Sequence, residues 1–264
     1  MFTKTIGIIG LTIKQKLAYR EALWFGIMAT SASILIYFFL WRAVFSDAAT
    51  VEGYTFQMMI TYIIIARILA SQFSSGINGT LAGWIYDGSI ATELLRPFGI
   101  IRSLFALRLG EFCQFVIFKG LPITLVAAFL LNASPPASGL SLLLFIVSIL
   151  ISLVLLFFFE LMVGVLAFYT MEVHAVRFAK EAVLTILSGG LVPLFLFPQW
   201  LQDVFRLLPF QYLAATPIDI YLGVLSPSEA LMAMLSLGLW IVIMMVLSLL
   251  FFNTAMKKVV VQGG

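Results

Sequence analysis

Three ionisable side chains stand inside long apolar runs of this sequence: Arg67, Lys119 and Glu160. Taking a charge to membrane depth is costly, so such residues face a protein interior or a water-filled cavity. Arg67 starts a polar stripe at helical spacing, with Ser71, Ser74 and Asn78 at i+4, i+7 and i+11. Two readings fit. Either these residues line a cavity that holds an amphiphilic molecule, or Glu160 is the counter-charge of Arg67 or Lys119 and the charges fix helix packing. Lys119 can also snorkel. Catalytic chemistry has no comparable footing. His174 is the single histidine and Cys113 the single cysteine, which excludes an internal disulfide and leaves too few soft ligands for a zinc or haem site within one chain. No Ser-His-Asp set, paired-carboxylate cleft or metal-ligand cluster stands out, so no catalytic centre, metal or cofactor is expected in this chain.

The elements that must carry these charges are membrane helices. Of 264 residues, 62% are hydrophobic and 10% charged, against about 45–50% and 25% in soluble domains. The apolar excess has to face lipid. An all-α integral membrane protein with six transmembrane helices is expected, with spans at 22–45, 56–75, 109–131, 140–169, 183–197 and 229–252. The fifth is short and broken by Gly189, Gly190 and Pro193. Counting Lys and Arg by alternate sides puts eleven, Arg108 and Lys180 among them, on the side that holds both termini. Arg206 alone lies opposite, and Arg42, Arg67 and Lys119 fall within spans. Both termini are therefore cytoplasmic by the positive-inside rule.

The chain reads as one domain, 1–264. Segment 1–21 forms an interfacial helix whose Ile6, Ile9, Gly10, Ile13 and Leu17 share one face, away from Thr12. Spans one and two occupy 22–75, a cytoplasmic loop 76–108, spans three to five 109–197, and the last span and tail 229–264. No cleavable signal peptide is expected; the first span serves as anchor. Between them, 198–228 can form only two short helices, at 200–208 and 211–221, too short to cross. They are expected to dip back into the outer leaflet, with Trp200 and Tyr212 at the interface. In the cytoplasmic loop, Gly88 permits a turn after Trp84, Ile85 and Tyr86, and Pro97 limits the helix containing Glu93, Leu94 and Leu95. Such a loop is either an interfacial hairpin or a docking element. The small net charge of +3 gives no basis for nucleic-acid binding.

An aliphatic residue, Gly88, Ile90, then Leu94-Leu95-Arg96-Pro97 resembles the inner-loop pattern of type-2 ATP-binding-cassette permeases. The C-terminal stretch is similar to the same family: Pro198 and Trp200, Leu208-Pro209-Phe210, Pro217, then Tyr221-Leu222-Gly223. With six spans and two inside termini the likeness covers essentially the whole chain, and it is greatest to small permeases of bacterial drug and natural-product exporters. The resemblance implies a cytoplasmic-membrane dimer of this chain with an identical or related permease, packed through its first and fifth spans. It also implies two ATPase subunits that bind ATP and Mg, and export of a hydrophobic or amphiphilic small molecule. The segment 84–92, including Asp87, would be the coupling helix on the ATPase, with Glu93 and Arg96 fixing it at the membrane surface. Gly189, Gly190, Pro193, Pro198, Trp200 and Pro209 would belong to an outer gate. Export of polysaccharide or teichoic acid by the same architecture, or an ion-driven carrier using Glu160 or Lys119, are the alternatives. "LSGGL" at 187–191 resembles the ATPase signature, but it lies in an apolar run and no phosphate-binding loop precedes it.

Overall fold

Within a bilayer every backbone N–H and C=O must be bonded inside its own segment, which leaves helices as the form for these apolar runs. The computed structural model describes residues 2–18, 20–46, 49–74, 76–95, 99–170 and 173–262. The chain is about 82% helical. Helix α1 (Phe2–Ala18) leads into α2 (Arg20–Val44). A minimal antiparallel hairpin, β1 (Thr50–Val51) and β2 (Tyr54–Thr55), then reverses the chain into α3 (Phe56–Ala70), whose N-terminus is capped by Thr55. Next come α4 (Ile77–Tyr86), α5 (Ile90–Leu94) and α6 (Ile100–Phe115), the last running through a π-helical turn (Val116–Gly120) into α7 (Leu121–Leu131). The second half holds α8 (Gly139–Val165), α9 (Val173–Leu187), α10 (Gln199–Arg206), α11 (Ala215–Leu222) and α12 (Pro227–Gln262).

Among the described residues, four helical stretches are long and apolar enough to cross a membrane: Arg20–Val44, Ile100–Leu131, Gly139–Phe168 and Pro227–Lys257. They coincide with four of the six expected spans. The second expected span stops at Ala70, where the Ser71 N–H bonds the Arg67 and Ile68 carbonyls and the chain turns before α4. The fifth differs more. Its helix is α9, begun about ten residues earlier than expected and finished at Leu187, so that 189–197 is non-helical apart from a 3-10 turn (Leu194–Leu196). Likewise α6 starts at Ile100 instead of 109 and takes in Arg102 and Arg108. Both errors have one cause: charged residues lower local hydropathy and read as loop, even where a partner lets them be buried.

Helix α3 is the centre of the bundle, with 11 of its 15 residues buried, and α11 packs against it and against α8. By contrast α2 exposes Trp24, Phe25, Met28, Ile36 and Phe39, the pattern of a lipid- or partner-facing helix. Helix α1 lies along α6. Its buried contact is Thr12 beside Gly110; of the expected apolar stripe, Ile6 is exposed while Ile9, Gly10 and Ile13 are half-buried. Burial costs Thr12 little because its hydroxyl donates to the Ile8 carbonyl at 2.8 Å. In 198–228 the two expected short helices form as α10 and α11, separated by a 3-10 turn (Pro209–Leu213). Trp200 is exposed, whereas Tyr212, expected at the interface, is buried in the core.

Candidate functional site

The buried charges meet where α4 begins. Glu160 of α8 is completely buried; one carboxylate oxygen accepts the Ile77 N–H at 3.4 Å and lies 3.4 Å from Arg108 Nε, while the other lies 3.8 Å from Lys180 Nζ. Gly76 has φ +131°, and a Cβ there would fall on the Glu160 carboxylate, so only glycine brings α4 in at this point. An anion at the first N–H of a helix is favoured by the dipole as well as by the bond. Lys180 Nζ also donates to Asn78 Oδ1 at 3.0 Å, and Arg108 Nη1 lies 3.6 Å from Glu111. Helices α4, α6, α8 and α9 are thereby joined by two cations and two anions. The cations beside Glu160 are thus Arg108 and Lys180, not Arg67 or Lys119. In the sequence both count among the cytoplasmic basic residues, and no spacing within one helix reveals a partner on another.

Beside this cluster lies a polar cavity of about 290 Å³, lined by Ala22 and Gly26 of α2, by Ser71, Gln72 and Ser74 after α3, and by Arg108, Glu111, Gln114 and Lys119. Lys119 sits in the π-helical turn, a departure from regular helix that often marks functional positions. A second cavity, about 450 Å³ and apolar, lies between α3, the α6–α7 helix and α8; Phe115 lines both. The polar stripe read from the sequence is divided three ways, because α3 ends at Ala70 and the turn breaks the helical register. Ser71 and Ser74 reach the polar cavity, Asn78 joins the charge cluster, and Arg67 turns elsewhere.

Arg67 serves the break in α9. Its Nε donates to Ser33 Oγ at 2.8 Å and its Nη1 to the Gly190 carbonyl at 3.2 Å, with the guanidinium 5.2 Å over the Tyr37 ring. Tyr62 donates its hydroxyl to the Gly189 carbonyl at 3.0 Å, and the Ala215 N–H bonds the Ser188 carbonyl at 2.9 Å. Three successive carbonyls released at the helix end are thus caught from α3 and α11. Gly189 has φ +80°, and a Cβ there would lie 2.6 Å from the Tyr62 hydroxyl. Pro193 then leads into the 3-10 turn, Pro198 starts α10 and Pro209 opens the buried turn before α11. A further acid was overlooked in the sequence: Asp219 of α11 accepts the Tyr54 hydroxyl at 2.9 Å, with Tyr54 stacked on Phe195 at 4.3 Å. A lone carboxylate in "PIDIYLG" was the available signal.

Helices α4 and α5 form a hairpin. Segment 84–92 is therefore not the single helix implied by the resemblance; it turns at Gly88, φ +74°, where the residue types allow. Tyr86, Asp87 and Gly88 are exposed at the tip, Ile90 and Glu93 are buried, and Trp84 and Ile85 pack with Leu81 and Ile90 on α8. The nearby Ser89 hydroxyl and the Ser89 N–H, which donates to Asp87 Oδ1 at 2.9 Å, hold the Asp87 carboxyl below its usual range. The Tyr86 hydroxyl donates to the Thr170 carbonyl. Arg96 and Pro97 lie outside the described residues.

No curated protein matches the chain. A family model described as an ABC-2 family transporter protein matches residues 32–263, a stretch that contains the charge cluster, the apolar cavity, the hairpin and the α9 break, and the lining of the polar cavity apart from its α2 residues. With its long apolar helices, the chain belongs to the ABC-2 transporter family, as a multi-pass membrane permease of an ABC transporter.

Proposed function

We propose that the chain is one half of the membrane pathway of an exporter that moves a hydrophobic or amphiphilic small molecule outward across the bacterial cytoplasmic membrane. The observation that carries this reading is the α4–α5 hairpin, exposed at its tip and tied at its root to the buried carboxylate beside the polar cavity. Such a hairpin gives a soluble motor a stiff handle on the interior of the bundle. Two ATPase subunits bind ATP and Mg²⁺ and seat the tip at Tyr86, Asp87 and Gly88; a second permease, identical or related, completes the pathway. Both termini and the hairpin face the cytoplasm. Closure of the ATPase pair displaces α4, and because Glu160 holds the start of α4 to Arg108 of α6, the wall of the cavity moves with it. The segment after the α9 break, through Pro193, Pro198, Trp200 and Pro209, closes the outer end.

Co-expression with a cognate ATP-binding subunit tests the assignment. A complex that co-purifies and hydrolyses ATP in a vanadate-sensitive manner is expected. Replacing Tyr86-Asp87-Gly88 by Ala-Lys-Ala should release the ATPase while membrane insertion persists. Undiminished binding by that variant would sink the docking role of the hairpin.

A further inference from the structure

We propose that the polar cavity is a binding site for the anionic head of an amphiphile, with Lys119 as its anchor and the adjoining apolar cavity receiving its tail. The inference deepens the exporter reading and rests on it for the direction of transport only. The charges around the cavity are distributed unevenly. Arg108 and Lys180 are balanced by Glu160 and Glu111, whose carboxylates lie within 3.8 Å of one or the other. Lys119 is half-buried and, among the described residues, makes no hydrogen bond or ion pair. Its amine lies beside Gly26 of α2, which leaves room where another residue would carry a side chain.

Snorkelling to either end of its helix does not account for this lysine. The helical stretch Ile100–Leu131 places it 19 residues from one end and 12 from the other, roughly 28 and 18 Å at 1.5 Å per residue. A lysine stem spans neither distance. A cation held at that depth gains most from an anion brought to it, while a cationic ligand would meet repulsion and a neutral one would leave it uncompensated. The second half of the ligand follows from Phe115, which lines both cavities. Beyond it the apolar cavity presents Ile64, Ile68, Phe112, Val116 and Phe145, and its volume of about 450 Å³ lies in the range of roughly 300–1,000 Å³ usual for small-molecule sites. A carboxylate, sulfate or phosphate monoester on an alkyl or aromatic tail fits this pair of chambers. A membrane phospholipid and an exported amphiphile share that chemistry.

The test uses the full chain in phosphatidylcholine nanodiscs with three fluorescent probes: a dansyl undecanoate, and the amine and alcohol with the same tail. The undecanoate should bind saturably and more tightly than the other two. Lys119→Gln should weaken it roughly tenfold while leaving the amine and alcohol unchanged, and Lys119→Arg should restore it. Gel filtration and helicity equal to wild type establish that each variant is folded. Equal affinity for all three heads, or an undecanoate affinity indifferent to Lys119→Gln, overturns the proposal. Repeating the titration in phosphatidylglycerol nanodiscs separates the two sources. Displacement that depends on Lys119 identifies a lipid head as occupant, and undiminished binding identifies a free amphiphile. Because no ATPase is present, charge-selective binding without ATP-driven export would remove the exporter reading alone. Export of anionic, neutral and cationic amphiphiles alike would remove this one alone.

Discussion

Two guanidiniums, Arg108 fully buried and Arg67 half-buried, sit within the bundle and act in opposite ways. At the root of α4, Arg108 faces the carboxylates of Glu160 and Glu111, so charge cancels charge. At the end of α9, Arg67 faces a hydroxyl and a backbone carbonyl and, among the described residues, no carboxylate; it replaces hydrogen bonds that the broken helix no longer makes. The two sites also sit on opposite helix ends. An anion, Glu160, holds a helix start, and a cation, Arg67, holds a helix stop, each with the sign that the helix dipole favours. The difference matters when a partner is removed. A charge cluster that loses one member keeps an uncompensated ion in the interior, whereas a broken end that loses its guanidinium keeps only a neutral carbonyl to satisfy.

The largest effect should therefore come from Glu160→Ala, which strands Arg108 and Lys180. A loss of about 3–5 kcal/mol is expected, seen as a lowered midpoint of thermal unfolding in detergent. Adding Lys180→Met to it should recover part of the loss, since one of the stranded cations is then gone. If the double variant is no more stable than Glu160→Ala, the cluster is not a balanced set of charges and the contrast with Arg67 fails.

Arg67→Met should cost less, about 1–3 kcal/mol for the bonds lost to the Gly190 carbonyl and Ser33. Arg67→Lys should recover some of it, because one ammonium can still reach one of the two acceptors but cannot fork between them. The same unfolding measurement compares the sites directly. A loss for Arg67→Met equal to that for Glu160→Ala would mean that Arg67 answers a full negative charge after all.

The ease with which each region could be read from the sequence follows the same division. Features written along one segment were legible: four long spans, the two short helices α10 and α11, the turn at Gly88, and the break at Gly189 and Gly190. Features made between segments were not. Arg108 and Lys180 lower the hydropathy of the stretches around them, so those stretches looked like loops, yet their pairing with Glu160 is what allows α6 and α9 to be helical there. Arg67 was recognised as a residue at membrane depth, but its partners lie 34 and 123 residues away along the chain, beyond any helical period. Helix α3 illustrates the limit from the other side: it is apolar nearly all round, and that pattern alone does not distinguish a lipid-facing span from the buried core element it forms.

The smallest effect is expected at the hairpin tip, where the Asp87 charge is exposed and, among the described residues, not paired with another charge. The Ser89 hydroxyl and N–H favour the ionised Asp87, so its carboxyl titrates below the ordinary value of 3.8. A depressed folded value means that the contribution is complete above about pH 4 and is lost as the pH falls through the folded pKa. It is constant across the neutral range. Hydrogen exchange over 84–92, corrected for the intrinsic pH dependence of exchange, should therefore show a protection at Ser89 that weakens only in acid. Asp87→Ala should lower that protection a few-fold at pH 7, within the modest strength of an exposed local bond. Asp87→Asn, which keeps an acceptor oxygen but carries no charge, should retain part of it and lose the acid transition. A change at Ser89 near neutral pH would require a second titrating group at the tip. That would make this exposed turn, rather than the cluster at its root, the part of the hairpin that responds to charge.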